Sequence, residues 1–554
     1  MDSITQAIQL AAHTDLSTTL ITAAVVGLLA HIPIHSFEFE RIALQFMIGC
    51  VACFFGLGGF YVYTGQCSSP FVPLARSFLV QAVFHRCLLA SIAVYRLGFH
   101  RCHHIPGPVC AKISRFYAMY LTSKNIQFQN ELLQIHEKYG DFVRTGPREV
   151  SVFRKAAVNA IFGPHSKCSK SIWYAQNGYD SNETTLQMCR DRVLYRRRRR
   201  AWDRGLSNKA LATYVARIRS HADLLVQRLR ERAELPVDVT QWSMFFAFDM
   251  IGDVGYGKSF DQLFTLQEHP AIKPIHEHLM LFAVLQNAPW FIYLVDCIPG
   301  TAAIFAVTAK FFEDQRRAKL KTWNADENPR DIVSWLLKAM ADKDGTGPPS
   351  IEALDQDTKL LLAAGSDTSA EALTNALFFL ARYPEKQKKL RAALLHECSG
   401  GGTTSAAAGW SYDAVLGVKY LDHFIHETLR LKPPAMISGR METPQGGLQV
   451  DEVHIPGAVV VTRDPRYWQR ADEFLPERWG DDRRAEMGTD GSPYFPFSLG
   501  SLMVLRIALS SIVQNFEVGF APGETGVEFD NEAKDTFTTM LPPLNLQFTQ
   551  LGDA

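Results

Sequence analysis

Cysteine is scarce in this chain: ten in 554 residues, too few and too scattered for a disulfide framework. None follows Cys398, so nothing beyond that point can supply a thiolate. An excess of either charge is also missing. Lys+Arg and Asp+Glu both number 57 and the formal net charge is zero, which removes any global pull toward nucleic acid or an anionic surface. There is no internal repeat, and after Pro106 no linker long enough to divide the chain. The first apolar run is not expected to be a secretory leader: Asp2 and Asp15 precede it where a positive segment would stand, and more apolar runs follow it. What remains is a composition of 47% hydrophobic and 21% charged residues, that of a folded chain rather than a disordered one.

Three apolar runs come first: Leu16 to Ile34, Ile42 to Tyr63, and Ser77 to Leu97. The first two are long enough to cross a bilayer. The third contains His85 and Arg86, and a mid-bilayer charge is costly, so this run is expected either at the interface or packed against the others. Residues 1–104 are accordingly read as a retained anchor of two or three spans, and 105–554 as the domain it carries. A buried helical hairpin in a soluble domain is the alternative. Cys50 and Cys53 form a CxxC with apolar flanks and, like Cys87, read as small apolar residues rather than metal ligands. Arg41, Arg76, Arg86, Arg96 and Arg101 crowd the spans, which favours a cytosolic face for the domain after them. The block His104-Ile105-Pro106-Gly107-Pro108 reads as a stiff hinge.

The rest of the chain is mostly helical in pattern. Ala210 to Arg232 carries apolar residues at helical spacing with arginines between them. Asp357 to Tyr383 predicts a long apolar helix ended by Pro384. Short pieces at Asp141 to Arg144, Glu149 to Phe153 and Val459 to Val461 predict strands. Gly400 to Gly409 reads as a surface loop. The fold class is therefore mainly α with small β-sheets, plus N-terminal transmembrane helices.

Four motifs carry chemistry. Ala364-Gly365-Ser366-Asp367-Thr368-Ser369 places a glycine and polar side chains inside an apolar helix, where they are locally unfavourable and so suggest a functional site. Gly365 would admit a ligand close to the backbone, and Asp367 and Thr368 would supply a proton path. A helix kink or a satisfied polar patch explains the same residues equally well. Glu427-Thr428-Leu429-Arg430 puts an acid and a base on one helix face, with Pro433 and Pro434 ending that helix. Arg463-Asp464-Pro465-Arg466-Tyr467-Trp468 with Phe474-Leu475-Pro476-Glu477-Arg478-Trp479 is the third motif, and Phe495-Pro496-Phe497-Ser498-Leu499-Gly500 the fourth.

In this order and spacing the motifs resemble the cytochrome P450 family of haem-thiolate monooxygenases, over essentially everything from Pro106 to the C-terminus. Among its members the chain is most similar to fungal secondary-metabolism enzymes of the tryprostatin B 6-hydroxylase kind, which implies a hydrophobic substrate such as an indole alkaloid. The resemblance implies a haem cofactor, NADPH-cytochrome P450 reductase as electron donor, and an endoplasmic reticulum membrane with the domain in the cytosol. It assigns Asp367 and Thr368 the catalytic acid and alcohol positions. It assigns Glu427, Arg430 and Arg478 a three-way ion pair that supports the cofactor-binding region. In the run Tyr195-Arg196-Arg197-Arg198-Arg199-Arg200, it makes Arg199 a propionate contact, a role a forked guanidinium suits, with Tyr195 beside it. Arg440 would be a second such contact. Phe282, Trp290 and Phe291 could line a substrate pocket, although core packing accounts for aromatics of this kind too. Asn182-Glu183-Thr184 is a glycosylation sequon that this topology would leave unmodified.

The pattern breaks at the metal. The family motif that begins at Phe497 continues to an invariant cysteine, a glycine and a helix. Here Gly500-Ser501 runs straight into Leu502-Met503-Val504-Leu505-Arg506, which matches the later part of that helix. A second shortage comes after Gly457, where the family has an extra strand and turn before the Arg463-Asp464-Pro465 motif. The thiolate is the ligand that favours O–O cleavage; Met503 could ligate iron, but a thioether suits electron transfer and core packing explains it too, while His423 and His426 share a helix with Glu427 and Arg430, away from the expected iron. Three readings are compatible with this: a protein whose gene model or splice form omits the loop, a decayed and inactive relative, or a non-enzymatic membrane protein that uses the scaffold to bind a partner or hydrophobic ligand.

Overall fold

The computed structural model describes residues 15–34, 43–64, 71–163, 165–175, 180–296, 298, 300–398, 410–435, 440–456, 459–460, 469–484, 486–487 and 499–552. The motifs Arg463 to Trp468 and Phe495 to Ser498, and the Gly400 to Gly409 stretch, lie outside them.

Three helices open the chain: α1 (Leu16–Ile34), α2 (Ala43–Tyr63) and α3 (Phe71–Val94), the last continuing through a π-helical turn at Tyr95–Phe99. All three are long and apolar enough to cross a membrane, the third over 29 residues. The third apolar run thus begins at Phe71, earlier than its hydropathy suggests, and packs along the other two. Most side chains in these helices are exposed, as they must be if lipid is their solvent. α1 meets α3 at Gly27, where a Cβ would lie 2.4 Å from the Phe84 carbonyl oxygen. Small residues allow this close approach between apolar helices. The polar groups of the third run find partners inside the bundle. Gln81 Nε2 donates to the Cys50 carbonyl at 2.6 Å, His85 Nε2 is 3.4 Å from Cys50 Sγ, and His31 Nδ1 is 3.0 Å from Ser91 Oγ. Arg86 stays on the exposed side.

The Pro106-Gly107-Pro108 block is knitted to the domain rather than swinging free. Arg144, fully buried, donates to the Arg96 carbonyl at 2.7 Å and the Pro147 carbonyl at 2.7 Å, while its own N–H donates to Pro106 at 2.7 Å. Gly107 has φ +155°, and a Cβ there would sit 2.4 Å from the Arg144 carbonyl oxygen. No other residue permits that approach.

The domain is helical with small sheets at its margins. Strands β1 (Phe142–Gly146) and β2 (Glu149–Val152) form an antiparallel pair, and β6 (Val459–Val460) adds parallel to β2. β3 (Ser169–Lys170) pairs with β5 (Met441–Glu442). β8 (Asn545–Gln550) lies between β4 (Val237–Asp238) and β7 (Phe516–Phe520). The strands expected near 141, 149 and 459 are therefore all present.

The main core is built by α5 (Asn208–Glu231), α6 (Val239–Ile251), α9 (Ile351–Arg382), α11 (Lys419–Leu431) and α12 (Leu499–Asn515), with α4 (Arg192–Gly205), α7 (Ile272–Leu285), α8 (Pro289–Asp296) and α10 (Pro384–Cys398) around them. Side-chain caps fix several starts. Asp191 accepts from the Val193 and Leu194 N–H groups at 2.8 and 2.9 Å, and Ser350 from Ala353 at 3.0 Å. Such caps satisfy donors that have no partner within the helix. α9 begins at Ile351, six residues before the expected Asp357, because that cap and not the first polar residue sets its start. From Ser366 to Ala381 nearly every residue of α9 is buried, which makes it the axis against which α6, α11 and α12 pack.

Candidate functional site

Glu427 on α11 sits at the centre of a closed polar cluster. Arg430 Nε and Nη2 donate to its two carboxylate oxygens at 2.9 and 3.0 Å. Arg478 Nε donates to Oε1 at 3.3 Å, Trp479 Nε1 to Oε2 at 3.0 Å, and the Leu475 N–H to Oε1 at 2.8 Å. The side chains of Glu427 and Arg478 are 0% exposed and that of Arg430 is 6%. A buried carboxylate is tolerable only when paired and hydrogen-bonded to this extent. The second guanidinium leaves the cluster one positive charge in excess, and backbone carbonyls answer it. Arg430 donates to Ala471 and Glu473 at 2.7 and 3.0 Å, and Arg478 to Arg470 at 2.9 Å and to Gln469. The three residues that the family resemblance linked are thus brought together, and they bind residues 469–479 to α11.

On α9, Gly365 does not face open space. A Cβ there would lie 2.7 Å from Ile251 Cδ1, so the glycine lets α6 approach, and the expected room for a ligand at its backbone is filled by that side chain. Thr368 Oγ1 donates to the Ala364 carbonyl at 2.8 Å and Ser366 Oγ to Leu362 at 2.7 Å, the local bonds by which helical hydroxyls satisfy themselves. Asp367 is 6% exposed. Its Oδ1 is 3.6 Å from His276 Nε2 on α7 and 3.4 Å from Ser366 Oγ. Burial disfavours the charged imidazole, but the Asp367 carboxylate outweighs it and raises the pKa of His276 above 6.5. One turn on, Glu371 is buried and accepts from the Thr539 N–H at 3.2 Å. Burial, reinforced by the Asp367 charge, holds it well above the usual carboxylate range.

Arg199 and Tyr195 lie together on α4: Arg199 Nη1 donates to the Tyr195 hydroxyl at 3.2 Å and Nε to Asp203 at 2.9 Å. The Arg199 side chain is 53% exposed. The buried arginine of the run is Arg198, which donates to Asp357 at 2.9 Å and to the Ser181 carbonyl at 3.2 Å. Lys170 of β3 stacks over the Tyr195 ring at 4.1 Å, and burial pushes its pKa down to about 8. Arg440, just before β5, turns away from this group. It donates to Asn287 Oδ1 at 2.8 Å and lies 3.6 Å from Glu149. Burial pushes Arg440 down to about 9 and Asp535, near it, up to about 6. These two, with Trp173 and Phe537, border a cavity of about 30 Å³, room for roughly one water. Phe282 meets Phe537 edge-on at 6.3 Å, and Trp290 packs on Phe116 at 5.6 Å and on Phe291 at 5.7 Å.

Among the described residues of α10 to α12, the donors present do not fit a haem held by a thiolate. α12 is already under way at Leu499 and carries no cysteine. Met503 is buried in the main core. Cys398 ends α10 in the same core, and burial pushes its thiol up. His426 packs on Trp479 at 5.3 Å. Sequence reasoning did not find His276, Glu371 or the Arg198–Asp357 pair. Only an acid inside an apolar helix, as at Asp357 and Glu371, could have signalled them.

The family model described as Cytochrome P450 matches residues 108–549. Among curated proteins, the chain is 32% identical to "Cytochrome P450 monooxygenase orf5" of Eupenicillium brefeldianum over 86% of its own length and 96% of that protein's. It is 32% identical to "Tryprostatin B 6-hydroxylase" of Aspergillus fumigatus over 83% and 82% respectively. It is 28% identical to "Cytochrome P450 monooxygenase phqL" of Penicillium fellutanum over 96% and 95%.

This geometry has two measurable outcomes. Glu427→Ala leaves two buried guanidinium groups without their anion and should destabilise the domain by about 3–5 kcal/mol, read as a lowered denaturant midpoint. His276 has its folded pKa raised, so its pairing with Asp367 stabilises the fold fully below about pH 6.5 and fades as pH rises through the raised value. The melting-temperature gap between the natural chain and His276→Gln should therefore be widest in acid and close toward alkaline pH. A gap that is independent of pH would show that the imidazole acts by packing alone.

Proposed function

The chain belongs to the cytochrome P450 family, and on that premise we propose that it is a membrane-anchored monooxygenase of fungal secondary metabolism, directed at a hydrophobic small molecule of the indole alkaloid class, whose hydroxylase chemistry is impaired in the chain as written. The observation that carries the second half is the junction Gly500-Ser501-Leu502: α12 continues through it with no cysteine. The first half rests on the family and on relatives that match the chain over most of their length.

The positions of the remaining residues support the following roles. Asp367, paired with His276, and Thr368 are the proton-handling residues of α9. Tyr195 and Arg199 present a phenol and a forked cation on an accessible face of α4, suited to a carboxylate such as a propionate. Glu427, Arg430 and Arg478 act at a distance, by fixing residues 469–479 against α11. Arg196, Arg197 and Arg200 are exposed on α4 and would meet an acidic redox partner, NADPH-cytochrome P450 reductase. The arginines around the spans favour a domain on the cytosolic side of the endoplasmic reticulum.

The test compares the chain as written with one in which the cysteine-bearing loop of a curated relative is inserted between Ser501 and Leu502, both made in microsomes with haem supply and reductase. The carbon monoxide difference spectrum should show a thiolate-type band only in the repaired chain. A thiolate band from the chain as written would overturn the proposal. For the topology, Asn182 is exposed and should carry no glycan when the chain is made in a eukaryotic cell; an endoglycosidase-sensitive mass shift lost in Asn182→Gln would place the domain in the lumen.

A further inference from the structure

α3 is the spine of the anchor. α1 touches it at Gly27 against Phe84, and α2 touches it at Gly58, where a Cβ would lie 3.6 Å from Ser77 Oγ. Between α1 and α2 a cleft of about 640 Å³ remains, within the range of about 300–1,000 Å³ typical of small-molecule sites. Its walls are mostly apolar: Val26 from α1, Phe46 and Leu57 from α2, Phe84 from α3. We propose that this cleft binds a small, rigid, apolar molecule that carries an N–H donor. The inference rests on reading the three helices as membrane spans, and it is independent of the haem question.

The polar groups of the wall decide the occupant. The hydroxyls of Thr19 and Thr22 are spent on the Asp15 and Thr18 carbonyls at 3.1 and 2.8 Å. His85 is engaged at both ring nitrogens, by the Gln81 carbonyl at 2.7 Å and Cys50 Sγ at 3.4 Å. Gln81 uses its amide nitrogen on the Cys50 carbonyl, while its Oε1 has no hydrogen-bond partner among the described residues. An unanswered acceptor in hydrocarbon is costly, and an intramembrane polar residue of this kind marks a site. Gln81 stands ten residues into α3, roughly 15 Å along its axis, near the middle of a hydrocarbon core of about 30 Å. Phospholipid headgroups and interfacial sterol hydroxyls do not reach that depth, and acyl chains have no donor. A compact apolar molecule with an N–H does both jobs: it fills the cleft and answers Oε1.

The experiment uses the full chain in phosphatidylcholine nanodiscs with 2-phenylindole bearing a diazirine on the phenyl ring. Photolabel should map by mass spectrometry to the cleft walls of α1 to α3. Unlabelled 2-phenylindole should compete about five- to tenfold better than 1-methyl-2-phenylindole, the worth of one buried hydrogen bond, and Gln81→Leu should erase that preference. Val26→Trp fills the cleft without touching the Gly27 contact and should abolish labelling. Labelling that persists in Val26→Trp, equal competition by the two indoles, or displacement by ergosterol alone would overturn the proposal. Release of the chain by alkaline carbonate would instead overturn the membrane-span reading on which it rests.

Discussion

One buried carboxylate organises the C-terminal half of the domain. Glu427 is the anion that two guanidinium groups, an indole N–H and a backbone N–H all address. Because the cluster holds two cations to one anion, it recruits backbone carbonyls between Gln469 and Glu473. That is how an ion pair becomes a tertiary lock: the excess charge can be satisfied only by a particular path of the chain past α11. Desolvating the groups is expensive, and geometry this complete is what offsets the expense. α11 in turn lies on α9 and α12, so the lock sets the position of the helices that frame the site.

The lock is also the part of the site that the sequence displayed best. Glu427 and Arg430 are three apart on a helix, and Arg478 stands in a short motif of its own. Contacts between distant elements were hidden in proportion to their separation. Arg198 and Asp357 are an ion pair across 159 positions, and nothing local distinguishes Arg198 from its neighbours. The run from Arg196 to Arg200 has no apolar residue to reveal its phase; the structure sets it through Leu194, Arg198, Ala201 and Gly205, all buried on one stripe. Gly365 shows the opposite case. The sequence marked it correctly as special, but the reason is the approach of Ile251, a residue more than a hundred positions earlier. Hydropathy located the three apolar helices, yet could not show that His85 and Gln81 would be answered by Cys50 on a neighbour.

The apolar packing of α12 is complete after Ser501. Leu505, Ile507, Ala508 and Leu509 are all at most 1% exposed and belong to the main core. The residues that hold this helix in the core are therefore all supplied by the stretch after Ser501. On α9 two roles separate within a single turn: Gly365 serves packing, while Asp367 reaches across to His276.

Arg144 has a mechanical consequence. Its fully buried guanidinium holds the Arg96 carbonyl at the end of the third apolar helix, while the backbone around it holds Pro106 and crowds Gly107. The three apolar helices are consequently tied to the domain by hydrogen bonds on either side of the Pro106-Gly107-Pro108 block. If the three helices stand in a bilayer, the height and tilt of the domain above it are set by the chain itself, and the same edge of the domain faces the lipid in every copy.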